Sequence, residues 1–403
     1  MSCQSAVYHW TEVVTKHMPH LSKPQAAVLA LWSVGMVLGR SCALTAVSLF
    51  LAEGLERKPN TMRQQLREWC YEAQAKRGKP RRELAVESCF APLLAWVLSW
   101  WDGTQLALAV DATTLGQRFV VLVVSVVYRG CAIPVAWTVL PATEQHAWRG
   151  EWLRMLRQVR TVVPRCYFVI VLADRGLYAR WLFERIVRLG WHPLLRINTG
   201  GTLRPAKSAH YQPLRELVSQ PGTQWAGTGT AFQGPRRRLN CTLLARWDDG
   251  YADPWLLLTD LAPSAGEACW YGLRAWIEQG FKITNRGGWQ WQHTRMSDPQ
   301  RAARLWLAVA VATLWLLSVG GMAEDTLPVS TLLPLTNADC PSSRPRPATG
   351  LRLVSIFRQG WITILVALLN HRRLPRGHFV PEPWPQTVQD NTLRGTHEML
   401  LAA

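Results

Sequence analysis

Between Leu106 and Val139 the chain spells three apolar runs almost back to back: Leu106–Val110, Phe119–Val127 and Ala132–Val139. Runs this short, rich in Val and lacking the 3.6-residue rhythm of a helix, are strands. Arg129-Gly130 turns the second run into the third. The block predicts a three-stranded antiparallel meander with a largely buried face. Downstream, the pattern predicts a helix over about Trp148–Val163, a strand at Tyr167–Leu172, a helix near Tyr178–Leu189 and a strand at Pro193–Ile197. The order β-β-β-α-β-α-β predicts an α/β fold: a mixed sheet with helices packed on it. Asp111 and Asp174 then lie at the ends of adjacent strands, provided the fourth strand docks beside the first.

The flanks read differently. Residues 1–100 have helical spacing, with helices at Pro24–Val37, Leu44–Leu55 and Thr61–Ala75, followed by the basic linker Lys76–Arg82. A helical module beside a basic run fits a DNA-binding domain, of helix-turn-helix or other arrangement, or a helical cap on the next domain. Residues 198–258 are rich in Gly and Thr, with short strand-like pieces at Asn240–Ala245 and Trp255–Thr259, and predict a β-rich insertion. It carries Arg236, Arg237 and Arg238, a phosphate-contact loop or a solvated hairpin tip. Leu305–Val319 is apolar for 15 residues, short of the roughly 20 a spanning helix needs, and predicts a core helix and no membrane partner. A Pro/Ser-rich linker, Pro341–Pro347, a helix over about Leu351–Leu369 and a basic tail complete the chain. The expected divisions are 1–82, 83–197, 198–258, 259–330 and 331–403.

Composition narrows the partners. The 403 residues carry 45 Lys and Arg against 27 Asp and Glu, a formal charge of +18 spread along the chain. A basic chain of this kind attracts polyanions, nucleic acid foremost. Nine Cys without a C-x-x-C pair exclude a common zinc site and fit a reducing cytoplasm. The 22 Trp are core residues for the most part, with a few available to stack on bases.

Three acidic residues stand out against that charge. Asp111 and Asp174 each end an apolar run, and Glu278 lies on the helical segment Trp270–Glu278. Carboxylates at strand ends and on a helix suit a pair of divalent metals about 3.5–4 Å apart, which clamps both oxygens of a phosphodiester exchange. Tyr271, Arg274, Glu278 and Lys282 are spaced 3, 4 and 4, one stripe on an α-helix at about 100° per residue. That stripe is either a phosphate-and-metal face or a surface row of ion pairs worth a few tenths of a kcal/mol.

The segment Tyr271-x2-Arg274-x3-Glu278 resembles the Tyr-Arg-Glu-Lys signature of bacterial insertion-sequence DDE transposases, in the insertion-sequence-four superfamily. The family has a Lys seven residues after the Glu, where this chain has Asn285, flanked by Lys282 and Arg286. Val110–Thr113 resembles the first Asp motif of that family, and Leu172–Gly176 the second. Trp255–Thr259 resembles the stretch whose Trp takes a flipped base. The likeness covers roughly 105–320.

The resemblance implies a ribonuclease H-like core with a β insertion before the Glu. It implies that Asp111, Asp174 and Glu278 are the catalytic residues and hold two Mg²⁺, replaceable by Mn²⁺. Tyr271, Arg274, Lys282 and Arg286 would hold DNA, and Trp255 would stack on an extruded base or serve as a core tryptophan. The expected partners are double-stranded DNA, as transposon ends and target, and a second copy of the chain in a synaptic homodimer, in the bacterial cytoplasm at the nucleoid. Two other functions compete: a catalytically inactive, domesticated DNA-binding protein, and a metal-dependent nuclease without strand transfer.

Overall fold

Ten strands form one sheet in the order β3-β2-β1-β4-β5-β10-β9-β8-β6-β7. The computed structural model describes residues 3–76, 82–144, 148–325 and 354–386. Most of the basic run Lys76–Arg82, the linker Pro341–Pro347 and the tail beyond 386 lie outside the described residues. In chain order the elements are helices α1 (Cys3–His17), α2 (Lys23–Gly39), α3 (Leu44–Gly54), α4 (Pro59–Trp69) and α5 (Phe90–Ser99), then β1 (Gln105–Leu115), β2 (Phe119–Tyr128) and β3 (Cys131–Pro141). Next come α6 (Arg149–Arg160), β4 (Phe168–Ala173), α7 (Arg180–Arg188), β5 (His192–Arg196), β6 (Thr202–Pro205), β7 (Gln212–Pro213) and the single turn α8 (Leu214–Leu217). The chain continues through β8 (Gln224–Ala231), β9 (Leu239–Arg246), β10 (Trp255–Thr259), α9 (Trp276–Thr284), α10 (Pro299–Asp325) and α11 (Ile356–Leu369).

The expected meander is present: β1 to β3 pair antiparallel. β4 docks parallel to β1, and β5 parallel to β4. Every residue of β2 is buried, so both faces of the sheet are covered there, which is why its sequence is apolar without alternation. The insertion strands do not form a separate layer. β10 pairs antiparallel with β5, and β9 and β8 continue the same sheet.

α10 is the spine of one face. The 15-residue apolar run is the middle of a 27-residue helix, longer than the run suggested. By length and composition it is able to cross a membrane, yet 94% of its most apolar window is buried inside the protein. Its tryptophan partners find acceptors on it at close range: Trp137 Nε1 donates to Ala303 O at 3.0 Å, and Trp289 Nε1 to Thr313 Oγ1 at 2.8 Å. Trp10 of α1 stacks on Trp315 with ring centroids 4.1 Å apart. The N-terminal helices thus share one apolar core with the sheet. α11 packs on α10 through glycines: a Cβ at Gly320 would collide with Ile356 O, and one at Gly360 with Leu316 O.

One buried charge ties α10 to the N-terminal helices. Arg304 is only 4% exposed. Its Nη1 donates to Cys70 O at 2.8 Å and Glu72 Oε1 at 3.1 Å, and its Nε to Leu84 O at 3.3 Å. Nη2 lies 3.5 Å from Glu83 Oε2, while Arg301 Nη2 reaches Glu72 Oε2 at 3.1 Å. A buried guanidinium is tolerable because its donors are met by carboxylates and by carbonyls alike.

Candidate active site

The sheet register brings two of the acidic residues level. Ala109 of β1 pairs with Leu172 of β4, so Asp111 and Asp174, each two residues on, sit side by side on one face. Asp111 does not end its strand, as the apolar run implied. β1 continues to Leu115, and Asp111 pairs with Val123 of β2. What ends is the neighbour: β4 stops at Ala173. That leaves the β4 side of Asp111 open.

The same face carries a small apolar cluster that includes Ala107, Ala109, Ile170, Leu172, Leu194 and Leu257 from the sheet and Trp276 and Ile277 from α9. α9 lies close because Gly280 meets Ala132: a Cβ there would stand 3.0 Å from Ala132 Cβ. This packing delivers Glu278 to the aspartates. The segment before it is not α-helical. Ala268–Ala275 is a 3-10 helix that becomes α-helical only at Trp276. Residues three apart eclipse in a 3-10 helix, so Tyr271 and Arg274 stack on one line. The expected stripe at 100° per residue does not hold through Tyr271.

Arg274 is the centre of the arrangement. Its Nη2 donates to Asp111 Oδ2 at 2.7 Å and Asp174 Oδ2 at 3.3 Å, and its Nη1 to Glu278 Oε1 at 2.6 Å. The other oxygen of each aspartate is held by backbone. Asp111 Oδ1 accepts from Ala112 N at 2.8 Å. Asp174 Oδ1 accepts from Gly176 N at 2.9 Å and Leu177 N at 3.2 Å, a local turn of the kind Asp favours. Both Oδ2 atoms are thereby aimed at one point.

Burial pushes the Asp111 carboxyl above its ordinary range, with Arg274 opposing and Asp174 and Glu278 adding to the rise. Burial also works against the Arg274 charge, but Asp111, Tyr271, Asp174 and Glu278 outweigh it and raise its pKa. A guanidinium does not deprotonate in proteins, and at 2.7 Å it favours the ionised form of Asp111.

The donor set suits a hard divalent cation, since it consists of carboxylate oxygens alone. As placed, no group of three His, Cys, Asp or Glu side chains among the described residues has metal-holding geometry. The guanidinium stands between the carboxylates instead. Asp111, Asp174 and Glu278 are therefore brought together and fit Mg²⁺ in chemistry, with Arg274 in the space between them.

Beside them opens a cavity of about 300 Å³, lined by Arg175, Arg196, Tyr251, Trp255, Tyr271, Arg274 and Glu278 among others. Its wall is aromatic: Trp255 stands edge-on to Tyr271 at 5.3 Å and to Tyr251 at 6.0 Å. Its floor is cationic. Arg196 lies over the Tyr271 ring at 5.9 Å, and burial lowers its pKa. Burial pushes the Tyr271 phenol up to about 12, against the pull of Arg274 and Arg196, so it is a neutral hydrogen-bond donor. Arg175 pairs with Asp253 at 3.3 Å at the rim. A cavity with aromatic walls and a basic floor offers ring faces that suit a base and guanidinium groups that suit a phosphate.

Sequence reading did not single out Arg196 or Tyr251, and met Arg175 only within the Leu172–Gly176 motif. Arg196 carried a signal all the same. It is the one charged residue in the otherwise apolar run Pro193–Ile197, and Ala173 pairs with Leu195, so Arg196 stands level with Asp174. The remaining expected DNA contacts lie outside this cluster. Lys282 and Arg286 are exposed on and just beyond α9, and Arg236, Arg237 and Arg238 are exposed in the β8–β9 turn, where Arg180 Nη1 reaches Arg236 O at 3.2 Å.

No curated protein matches the chain. A family model does: the one described as the transposase DDE domain matches residues 103–315, the stretch that contains the whole sheet, Asp111, Asp174, Glu278 and most of α10.

Proposed function

Because this chain belongs to the transposase DDE domain family, we propose that it is an insertion-sequence transposase of the insertion-sequence-four superfamily, which cuts DNA at the element's ends and joins it to a target. The observation that carries this is that Asp111, Asp174 and Glu278 gather around one guanidinium, that of Arg274, beside a nucleotide-sized basic and aromatic cavity. The order of β1 to β5, three antiparallel strands followed by two parallel ones, supports a ribonuclease H-like core.

In this reading Asp111, Asp174 and Glu278 hold two Mg²⁺, or Mn²⁺, which supply an activated water or 3′-OH and neutralise the leaving oxygen. The chain's own groups do the positioning. Arg196 and Arg274 bind nonbridging phosphate oxygens, whose charge spreads in the in-line transition state. Tyr271, kept protonated by burial, donates to the same phosphate. Trp255 and Tyr251 take an extruded terminal base, as a hairpin at the DNA end requires. Lys282, Arg286 and Arg236–Arg238, all exposed, contact the flanking backbone. Two ends must be held at once, so the working form is a homodimer.

The test is incubation of the full chain with Mg²⁺ and duplex DNA bearing the inverted repeats that flank its gene. Joined products establish a transposase. Cleavage without joining leaves a nuclease, and intact bound DNA leaves a binding protein. Binding should weaken steeply with salt, because each neutralised phosphate releases counterions; a flat titration would contradict a phosphate-dominated interface.

A further inference from the structure

Arg274 has an unusual set of partners. Among the described residues its two terminal nitrogens bond only to carboxylates, Asp111, Asp174 and Glu278, and its buried Nε has no partner. Three carboxylates against one guanidinium leave two negative charges at the cluster. The two Oδ2 atoms that share Nη2 are the oxygens not engaged by backbone. A divalent ion bridging the aspartates would use those same atoms. The guanidinium and the metal therefore compete for one place.

The adjoining cavity gives the guanidinium somewhere to go. Arg274 and Glu278 both line it, together with Arg196 and Arg175. A DNA phosphate seated there offers Arg274 charge-assisted bonds of the kind it would give up. Only side-chain ion pairs would break in the exchange. The phosphate takes the arginine, and the carboxylates are freed.

We propose that Arg274 is a built-in counter-cation: in the DNA-free protein it keeps the three carboxylates in register and keeps metal out, and a bound DNA phosphate draws it away so that metal loads. This rests on the metal-ligand reading of the three carboxylates. It adds an order of events, with DNA first and tight metal second, and it makes the two bindings mutually reinforcing. A basic chain with a metal site closed until DNA arrives does not carry a loaded nuclease centre between encounters.

Mn²⁺ binding to the full chain, followed by the free-ion spin-resonance signal at neutral pH, tests this without any turnover. If metal-competent molecules are a tenth or fewer of the DNA-free population, Arg274→Gln should tighten Mn²⁺ binding by about tenfold or more. A short duplex should tighten Mn²⁺ binding to the unaltered chain by a similar factor and change Arg274→Gln little. Arg274→Lys keeps the charge without the fork that bridges several carboxylates. It should lie between the two and serves if the glutamine variant fails to fold. Equal Mn²⁺ affinity in the variants and the unaltered chain, with Asp111→Asn abolishing binding in each, would overturn the proposal and leave the metal site standing. Mn²⁺ binding that ignores Asp111→Asn would remove the proposal together with the metal-ligand reading beneath it.

Discussion

Arg274 and Arg304 both stand among carboxylates, and their partners could hardly differ more. Arg304 meets two backbone carbonyls as well as Glu72 and Glu83, and Glu72 is shared with Arg301. Two cations face two anions, and α10 is fastened to the chain before α5. Among the described residues Arg274 meets three carboxylates and no carbonyl. A structural guanidinium is satisfied locally by neutral and charged acceptors in balance. At the site, negative charge has been gathered in excess of what one arginine offsets, and folding alone gives no reason to gather it. In the proposed reading that surplus, more than the mere presence of acids, is what further cations would offset.

The comparison is broken or sharpened by four measurements. Asp111→Asn should lower the rate of end cleavage roughly a thousandfold or more, the scale of several kcal/mol of lost charge stabilisation, while end binding in a metal-free gel-shift assay stays near normal. Near-normal cleavage would remove Asp111 from the site. Arg304→Met should cost about 2–3 kcal/mol in a urea melt, because it leaves the carbonyls of buried Cys70 and Leu84 without their donor. Cleavage per folded molecule should not change. Arg274→Gln should cost less, and Mn²⁺ should restore the loss, by about 2.7 kcal/mol when the ion stands at a hundred times its dissociation constant. Mn²⁺ should do nothing specific for Arg304→Met. If it rescued both alike, the contrast between the two arginines would be void.

The smallest effect is a pH dependence. Hydrogen bonding from Arg301, with help from Arg304, holds the Glu72 carboxyl down at about 2, against an ordinary 4.5. A depressed folded pKa means the unfolded chain takes up the proton first as pH falls. The contribution of Glu72 is thus whole above about pH 4.5 and is lost as the pH drops toward 2. The stability gap between the unaltered chain and Glu72→Gln should be constant from pH 7 to about 5 and shrink below 4.5. A gap that widened in acid would show the clamp is misread.

Much of the sheet was legible because β2 is apolar throughout and the runs are short. The level placement of Asp111 and Asp174 followed once β4 docked beside β1, but no run of residues announces register. Register depends on the partner strand, and so does the place of Arg196, which only the β4–β5 pairing reveals. The 3-10 stretch before Glu278 was read as α-helical, since a Tyr-x2-Arg spacing of three suits both helices. The guanidinium amid the carboxylates was also out of reach of the sequence. Spacing offers Arg274 to Glu278 as a neighbour, but its bonds to Asp111 and Asp174 span 163 and 100 residues.

The continuous sheet has a mechanical consequence. Trp255 sits on β10, β10 is laced to β5, and β5 to β4, which leads straight into Asp174. A wall and a floor stitched by one hydrogen-bonded ladder cannot hinge apart without unzipping strands. Whatever adjusts when a substrate arrives must be sought in rotamers and rim loops, while the backbone beneath stays as stiff as a workbench.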